Sequence, residues 1–393
     1  MRIVHFSDNH LGKLQFGLPE REEDIYKGLE RAVEVALEVK PDLVLHTGDL
    51  FDHHAPHPRA FVRAVSAITR LLDSGIEVVM IEGNHDVGPD TVRGRTSSAI
   101  INLDNLLRRL GYSGFHLLRP GISLKIGDVT IVGLPYAPRT VNVAEAIKSL
   151  DKVNSPDRVG ILMLHQGVKE MIATFYPEIE LKSLLSTRFK LIAMGHYHKK
   201  VVVEKGDRVL AYSGSTEVID VREASEPKKY VLIYEIDGKE IKVEERSLKT
   251  RPFLKLNRRI NKFKELTSLV EELNGLASSF EEKPVLILNV TTSELSAKRI
   301  RDELERVKDK FLYVRERIQA RVKEEEVEIT PRGFDLTELV TSMIKEMPLD
   351  SKVKETAIKA FRIWYLEGKR GDDFVKALKE LWEGYYEDKG SLS

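Results

Sequence analysis

Glu77-Val78-Val79-Met80-Ile81-Glu82 runs straight into Gly83-Asn84-His85-Asp86. An apolar, β-branched run of strand length stops on a glycine, and the next side chains are all oxygen or imidazole donors. The same pattern occurs twice upstream. Arg2–Ser7 is a short apolar run that ends on Asp8-Asn9-His10, and Asp42–Thr47 ends on Gly48-Asp49-Leu50-Phe51-Asp52. Between these runs, Glu20–Lys40 carries Ile25, Leu29, Ala32, Val33, Ala36 and Val39 at helical spacing, and Arg59–Leu72 reads as a second helix. A β-α-β-α-β order predicts a parallel sheet with right-handed crossovers. Ligands of such sheets sit outside the carboxyl ends of the strands.

Working outward, Ser97–Leu110 reads as a helix. Gly127-Asp128, Gly206-Asp207 and Asp237-Gly238 each separate paired apolar runs and signal hairpins. Arg158–Leu164 and Leu191–Met194 are buried-type strands that end in His165-Gln166-Gly167 and Gly195-His196-Tyr197-His198. The expected class for residues 1–248 is α/β, a mixed sheet or two-sheet sandwich flanked by helices. The pattern restarts near Lys249–Pro252. Phe263–Leu276 and Ser296–Lys310 read as helices, and Pro284–Val290 and Phe311–Ile318 as strands. Residues 249–330 therefore form a small α+β domain that ends in the acidic run Glu324–Glu328. Beyond Pro331-Arg332-Gly333, residues 331–393 read as a helical tail. Asp335 and Glu338 make a capping box there, and two apolar stripes follow: Val353, Ala357, Phe361, Trp364 and Phe374, Leu378, Leu381, Trp382, Tyr385.

Composition removes whole classes of function. The 393 residues contain no cysteine, which excludes disulfide scaffolds, thiolate zinc sites, iron–sulfur clusters and cysteine nucleophiles. Sixty-two basic residues balance 62 acidic ones, so the chain is no uniformly basic binder. No apolar run approaches the ~18–20 residues of a membrane span, and the opening Met-Arg-Ile-Val-His-Phe shows no charged-then-apolar leader. A soluble, cytoplasmic protein is expected.

The strand ends deliver Asp8, His10, Asp49, Asn84, His165, His196 and His198 toward one rim. Oxygen and imidazole donors without sulfur suit Mn²⁺, Fe²⁺ or Zn²⁺. Seven candidates are too many for one ion with an open position, whereas two ions sharing Asp49 absorb them. Two ions ~3.5–4 Å apart clamp the attacking and leaving oxygens of an in-line displacement at phosphorus. His85, next to Asn84, is read as catalytic, a proton donor to the leaving oxygen or a cation facing the phosphate. Asp52 is expected to orient His85 and raise its pKa. His53, His54 and His57 either touch substrate or are plain solvated residues, and His5 and His46 read as satisfied core histidines. Arg251, Lys255, Arg258, Arg259, Lys262 and Lys264 cluster without an intervening acid. They either track phosphates or form a solvated helix face, and Arg93 and Arg95 raise the same question after the Gly-Asn-His-Asp loop.

Asp-x-His, Gly-Asp-x-x-Asp, Gly-Asn-His-Asp, a lone His and Gly-His-x-His, in this order, resemble the signature of calcineurin-like metallophosphoesterases. Phe6-Ser7-Asp8-x-His10-Leu11-Gly12, Gly48-Asp49-Leu50-Phe51 and Tyr212-Ser213-Gly214-Ser215-Thr216-Glu217 sharpen the resemblance to the meiotic-recombination-eleven nucleases, counterparts of bacterial SbcD. This resemblance implies a Mn²⁺-dependent DNA nuclease of double-strand-break repair with a pair of Mn²⁺ ions per subunit. The expected activities are 3′-to-5′ exonuclease on duplexes and endonuclease on single strands. It implies one ion on Asp8, His10, Asp49 and His198 and the other on Asp49, Asn84, His165 and His196. The cation clusters make Arg93, Arg95, Arg258 and Arg259 the expected DNA contacts. The two apolar stripes of the tail either fold onto the body or dock on a partner helix, and the resemblance implies the second, with a Rad-fifty/SbcC-type coiled-coil ABC ATPase as partner. The helices Arg59–Leu72 and Ser97–Leu110 would pair in a homodimer. The alternative is a phosphatase or other small-substrate phosphodiesterase of the same superfamily. Protein phosphatases usually continue Gly-Asp-x-x-Asp with Arg-Gly, whereas this chain continues with His53-His54.

Overall fold

A computed structural model describes residues 1–88, 98–137, 141–153, 159–171, 179–320, 336–347, 349–365, 367 and 373–381. The chain divides into two compact units, Met1–Val322 and Lys323–Ser393. In the first unit, β1 (Arg2–Phe6), β2 (Leu43–His46), β3 (Glu77–Met80) and β4 (Phe115–Leu117) run parallel, joined by α1 (Pro19–Val39), α2 (Pro58–Asp73) and α3 (Ala99–Arg109). A second sheet contains β5 (Ser123–Ile126), β6 (Val129–Leu134), β7 (Val159–His165), β8 (Leu191–Gly195), β9 (Val201–Lys205) and β10 (Arg208–Tyr212) in the order β5-β6-β7-β8-β10-β9. Its helices are α4 (Val143–Val153) and α5 (Leu181–Leu185). The chain then returns to the first sheet as the hairpin β11 (Lys229–Asp237) and β12 (Glu240–Leu248), giving the order β12-β11-β1-β2-β3-β4.

Alternation along the strands builds four layers. In β1, Val4 and Phe6 face the helices with Ile25, Leu29 and Ala64, while Ile3 joins Leu43, Leu45 and Val79 in the layer between the sheets. In β7, Ile161 and Met163 enter that same middle layer, and Leu162 and Leu164 pack outward with Ile147 and Leu184. The arrangement is helix–sheet–sheet–helix, so the sandwich is the one of the two expected sheet arrangements that the chain adopts.

A third, parallel sheet, β13 (Phe253–Arg259), β14 (Val285–Thr292) and β15 (Tyr313–Ala320), is backed by α6 (Phe263–Ser278) and α7 (Ala297–Lys308). Leu266, Leu269, Leu273, Ile300 and Leu304 supply its core. Here the solvated-helix reading of the Arg251–Lys264 cations fails, because Lys255, Arg258 and Arg259 lie on a strand. Leu254 and Leu256 alternate with Lys255, Asn257 and Arg259, placing the apolar residues against the helices and the polar ones on the open face. Both the sandwich and this sheet fall within the first unit.

A buried ion cluster ties the sheet to the sandwich. Arg21, fully buried on α1, donates to Gln15 Oε1 (2.9 Å), Asp24 Oδ2 (2.6 Å), Glu217 Oε1 (3.3 Å) and the Val218 carbonyl (2.8 Å). Arg251, just before β13, donates to both oxygens of the same Asp24. Around it, Val218, Ala224, Phe253, Val285 and Ile287 form a small apolar joint, where Phe16 stacks on Tyr313 with ring centroids 4.2 Å apart.

The second unit contains α8 (Leu336–Glu346), α9 (Ser351–Tyr365) and a helical stretch over 373–381. None of the α9 side chains is buried, and Val353, Trp364 and Tyr365 are exposed. The acidic run, the Pro-Arg-Gly linker, Asp335, Trp382 and Tyr385 lie outside the described residues. No described helix is long and apolar enough to cross a membrane.

Arg21→Ala leaves Glu217 buried without its cation and Asp24 with Arg251 alone. Breaking such a pair costs about 3–5 kcal/mol, and urea unfolding should register that loss; a change below about 1 kcal/mol would show the cluster to be dispensable.

Candidate metal centre

Asp8, His10, Asp49 and Asn84 follow the ends of β1, β2 and β3, while His165 closes β7 and His196 and His198 follow β8. The site therefore straddles the carboxyl edges of both sandwich sheets. The backbone is driven into unfavourable conformations to bring these residues together. Asp8, His10, Asp49 and His196 have φ of 53°, 51°, 54° and 90°, in the left-handed region that costs non-glycine residues ~1–3 kcal/mol each. Two glycines make the close approach possible. A Cβ on Gly83 would overlap the Asp49 carboxylate, and one on Gly195 would overlap the Thr47 carbonyl and come within 2.8 Å of His165 Nδ1.

Hydrogen bonds then fix where the lone pairs point. His165 Nδ1 lies 2.7 Å from the Thr47 carbonyl, which only accepts, so the neutral ring presents an unprotonated Nε2. That nitrogen faces Asn84 Oδ1 at 3.1 Å and Asp49 Oδ2 at 3.2 Å. His10 Nδ1 lies 3.0 Å from Asp52 Oδ1. Its Nε2, buried with no hydrogen-bond partner, faces Asp49 Oδ2 at 3.6 Å. Asp49 Oδ1 is occupied by the His85 amide (2.8 Å), so Oδ2 alone stands between the two imidazoles. Lone pairs converging without hydrogens require a cation or a proton between them. Accordingly, despite burial, the Asp49 carboxylate draws His165 up to about 9, while His165 and His10 hold Asp49 well below the usual carboxylate range.

Asp8, His10 and His198 form one cluster with donor atoms within 4.8 Å of one another, and Asp49, His165 and His196 form a second. Asn84 Oδ1 lies 3.0 Å from His196 Nδ1 and joins the second cluster. All seven expected ligands are thus brought together, in two groups with Asp49 between them. The donor set and the orphaned His10 nitrogen fit a pair of divalent ions.

His85 is beside the site, with its ring centroid 4.6 Å from that of His10. The expected Asp52–His85 side-chain pair is not formed. The loop after β2 bridges to the one after β1, with the Asp52 amide on the Leu11 carbonyl at 3.1 Å. This turns the Asp52 carboxylate toward His10 and Lys13 (2.9 Å) and leaves its main-chain carbonyl facing His85 Nδ1 at 2.9 Å. Asp49, Asn84, His85, His196, His198 and Arg222 line a cavity of about 400 Å³. His53 is exposed and His54 half-buried, and their tilted rings meet with centroids 4.0 Å apart, outside this lining. His57 pairs with Glu22 at 2.8 Å.

Both core histidines are satisfied. His5 bonds Tyr234 and Thr47. His46 accepts from the Gly48 amide and donates to Asn9 Oδ1 (2.7 Å), whose amide donates to Thr216 Oγ1 (2.9 Å), so the loops after β1, β2 and β10 are joined. Arg259 is exposed beside Asn257, Asn289, Arg317 and Gln319, while Arg258 pairs with Glu272. Arg93 and Arg95 lie outside the described residues.

Sequence reasoning quoted Asp86 without giving it a role. Its buried carboxylate accepts the amides of Asp49 (2.7 Å), Phe51 (3.1 Å) and Gly83 (2.8 Å), stitching together the loops after β2 and β3. Burial, then the Asp49 charge, pushes Asp86 up to about 7 against the pull of these amides. Glu223, on the short turn Val221–Ser225, was missed altogether because no motif surrounds it. Asp86→Ala should cost about 3 kcal/mol or more in urea unfolding, since each orphaned buried amide costs ~1–3 kcal/mol; stability within 1 kcal/mol of wild type would refute this scaffold role.

A family model described as calcineurin-like phosphoesterase matches residues 1–200. The DNA double-strand break repair protein Mre11 of Methanocaldococcus jannaschii is 30% identical over 304 residues, 73% of this chain and 75% of that protein. The Mre11 of Methanococcus maripaludis is 29% identical over 301 residues (74% and 78%), and that of Sulfurisphaera tokodaii 28% over 326 residues (80% and 79%). The seven donors, in this order and on these strand ends, are therefore those of a chain that belongs to the calcineurin-like phosphoesterase family and, within it, to the Mre11 family of DNA double-strand break repair proteins.

Proposed function

We propose that this centre hydrolyses DNA phosphodiesters in double-strand-break repair, with Mn²⁺ as the working ion, as a 3′-to-5′ exonuclease on duplexes and an endonuclease on single strands. The observation that carries the reading is the convergence of His10 Nε2 and His165 Nε2 on Asp49 Oδ2 at the wall of an open cavity. Asp8, His10, Asp49 and His198 hold one ion, and Asp49, Asn84, His165 and His196 the other. When bound, such a pair lowers the pKa of water and neutralises charge on the phosphate in flight.

The chain's own residues do the rest. The Asp52 carbonyl takes the Nδ1 hydrogen of His85, so the ring is fixed with Nε2 toward the cavity. A proton on that nitrogen passes to the departing sugar oxygen, which leaves as a hydroxyl. Lys13 and Arg222, each paired with a carboxylate, Asp52 and Asp220, supply hydrogen-bond donors near the site. Further out, the open face of the third sheet presents Lys255, Arg259 and Arg317, flanked by Arg258, to the DNA backbone, and Arg93 and Arg95 follow the His85 loop in sequence. With a net charge of zero, affinity for DNA rests on such local groups and falls with salt.

The exposed apolar residues of α9 suit a docking helix for the Rad-fifty/SbcC-type ATPase. On α2, Val62 is exposed while Phe61, Val65 and Leu72 are half-buried, a surface that suits pairing of two copies in a homodimer.

With Mn²⁺ supplied, end-labelled duplex DNA should be cleaved and a phosphopeptide left intact, and Asp8→Ala should be inactive. His85→Ala should lower kcat by about 10²–10⁴-fold with Mn²⁺ uptake retained. Preference for the phosphopeptide would move the assignment to the phosphatases. Charge reversal of Arg258 and Arg259 together should weaken duplex binding and flatten its dependence on salt; an unchanged salt slope would remove this face from the DNA path.

A further inference from the structure

We propose that Asp52 and Glu223 make the two ion positions unequal: by gripping His10 and His198 from behind, they cause the ion on Asp8, His10, Asp49 and His198 to bind first and more tightly. The inference rests on the two-ion reading above and goes beyond it, because neither residue is a ligand.

His10 Nδ1 lies 3.0 Å from Asp52 Oδ1, and His198 Nδ1 lies 3.0 Å from Glu223 Oε1. Each ring therefore passes its Nδ1 hydrogen to a carboxylate. That bond draws electron density toward the opposite nitrogen, which becomes the stronger donor, and it stops the ring from rotating. Each carboxylate is in turn held by a lysine. Lys13 Nζ sits 2.9 Å from Asp52 Oδ1, and Lys229 Nζ bonds Glu223 Oε2, Ser215 Oγ (2.8 Å) and the His198 carbonyl (3.0 Å). The lysines fix the carboxylates in place and keep them ionised.

The other position is built differently. His165 gives its Nδ1 hydrogen to the neutral Thr47 carbonyl, and His196 has no carboxylate behind it among the described residues. Its remaining private ligand is the neutral amide of Asn84, where the first position has Asp8. Apart from the shared Asp49, the charged ligand and both carboxylates bonded to ligand imidazoles lie on one side.

The buried Glu223–Lys229 pair makes the same point from energetics. The side chains of both residues are about 95% buried or more, and a buried pair of this kind adds little stability over an apolar substitute. Its placement against His198 gives it a role that burial alone does not. Asp52 and Glu223 are thus positioning residues that act through His10 and His198.

Calorimetric titration of the metal-free full chain with Mn²⁺ tests this directly. Wild type should take up a pair of ions in resolved steps, the first at least about tenfold tighter, which is the lower end of what an outer carboxylate contributes to metal affinity. Asp52→Asn and Glu223→Gln should each weaken the first step by about 10–100-fold and leave the second within about threefold. Asn84→Ala should abolish the second step and spare the first. Rescue by Asp52→Glu, which restores the charge, should return part of the lost affinity. Manganese resonance spectra at one equivalent should show an isolated ion in wild type, and the spin-coupled signal of doubly loaded chains beside it once the bias is removed and the ions distribute statistically.

Glu223→Gln leaves Lys229 buried beside a neutral partner and can fail to fold. Asp52, on the partly exposed side, carries the same prediction without that liability. Equal wild-type steps, equal weakening of both steps in Asp52→Asn, or loss of the tight step in Asn84→Ala would each overturn the proposal. Uptake of a single ion by wild type would instead overturn the two-ion reading, and that result is visible in the stoichiometry before any variant is made.

Discussion

One carboxylate oxygen organises this molecule. Asp49 Oδ2 lies between His10 Nε2 and His165 Nε2, and while both rings are neutral neither nitrogen carries a hydrogen to offer it. Such an arrangement is repulsive until a cation or proton enters, so it exists only because the surrounding structure enforces it. The enforcement is visible in three forms: left-handed backbone at Asp8, His10, Asp49 and His196, Cβ-free contacts at Gly83 and Gly195, and an Asp86 carboxylate that gathers three loop amides. Stability given up at the strand ends has to be recovered elsewhere, chiefly in the apolar layers on both sides of each sheet.

Precision at the centre extends outward through polar links. The chain of bonds from Gly48 through His46 and Asn9 to Thr216 joins three strand-end loops in a fixed tautomer. The next residue in that loop, Glu217, enters the Arg21 cluster, and Arg251 of the same cluster leads into the third sheet. Buried hydrogen bonds, joined by the Thr216–Glu217 peptide, therefore run from the metal centre to the base of the open, cationic sheet face. A surface so anchored holds its register relative to the reacting phosphate, which is the condition for using remote binding energy at the bond being cut.

The charge pattern is consistent with a polyanionic substrate handled locally. A chain with no net charge exerts little long-range attraction. Its cations are grouped where β13 and β15 display Lys255, Arg259 and Arg317, whereas α7 and β12 mix both signs and the Arg222 beside the cavity is paired with Asp220.

The donors themselves were legible because each sits within a few residues of a strand end, often beside a glycine, and strand ends of an α/β sheet face one rim. Local apolar periodicity likewise identified most helices and the strands that precede the site. The division into two sheets was not legible. Strands buried on both faces read as continuous apolar runs whichever sheet they join, so pairing must be settled by contacts far apart in sequence. β13 was hidden for the opposite reason, since its alternating leucines were outweighed by cations that suit a solvated helix equally well. Hydrogen-bond direction lay wholly beyond the sequence. Asp52 was placed near the site correctly, but whether its carboxylate or its carbonyl meets His85 depends on a bridge between two loops. Glu223 reaches His198 only because a turn after β10 folds back over β8. Residue type and order along the chain thus determined which chemistry is available, while the long-range packing of two sheets decided which atoms face one another.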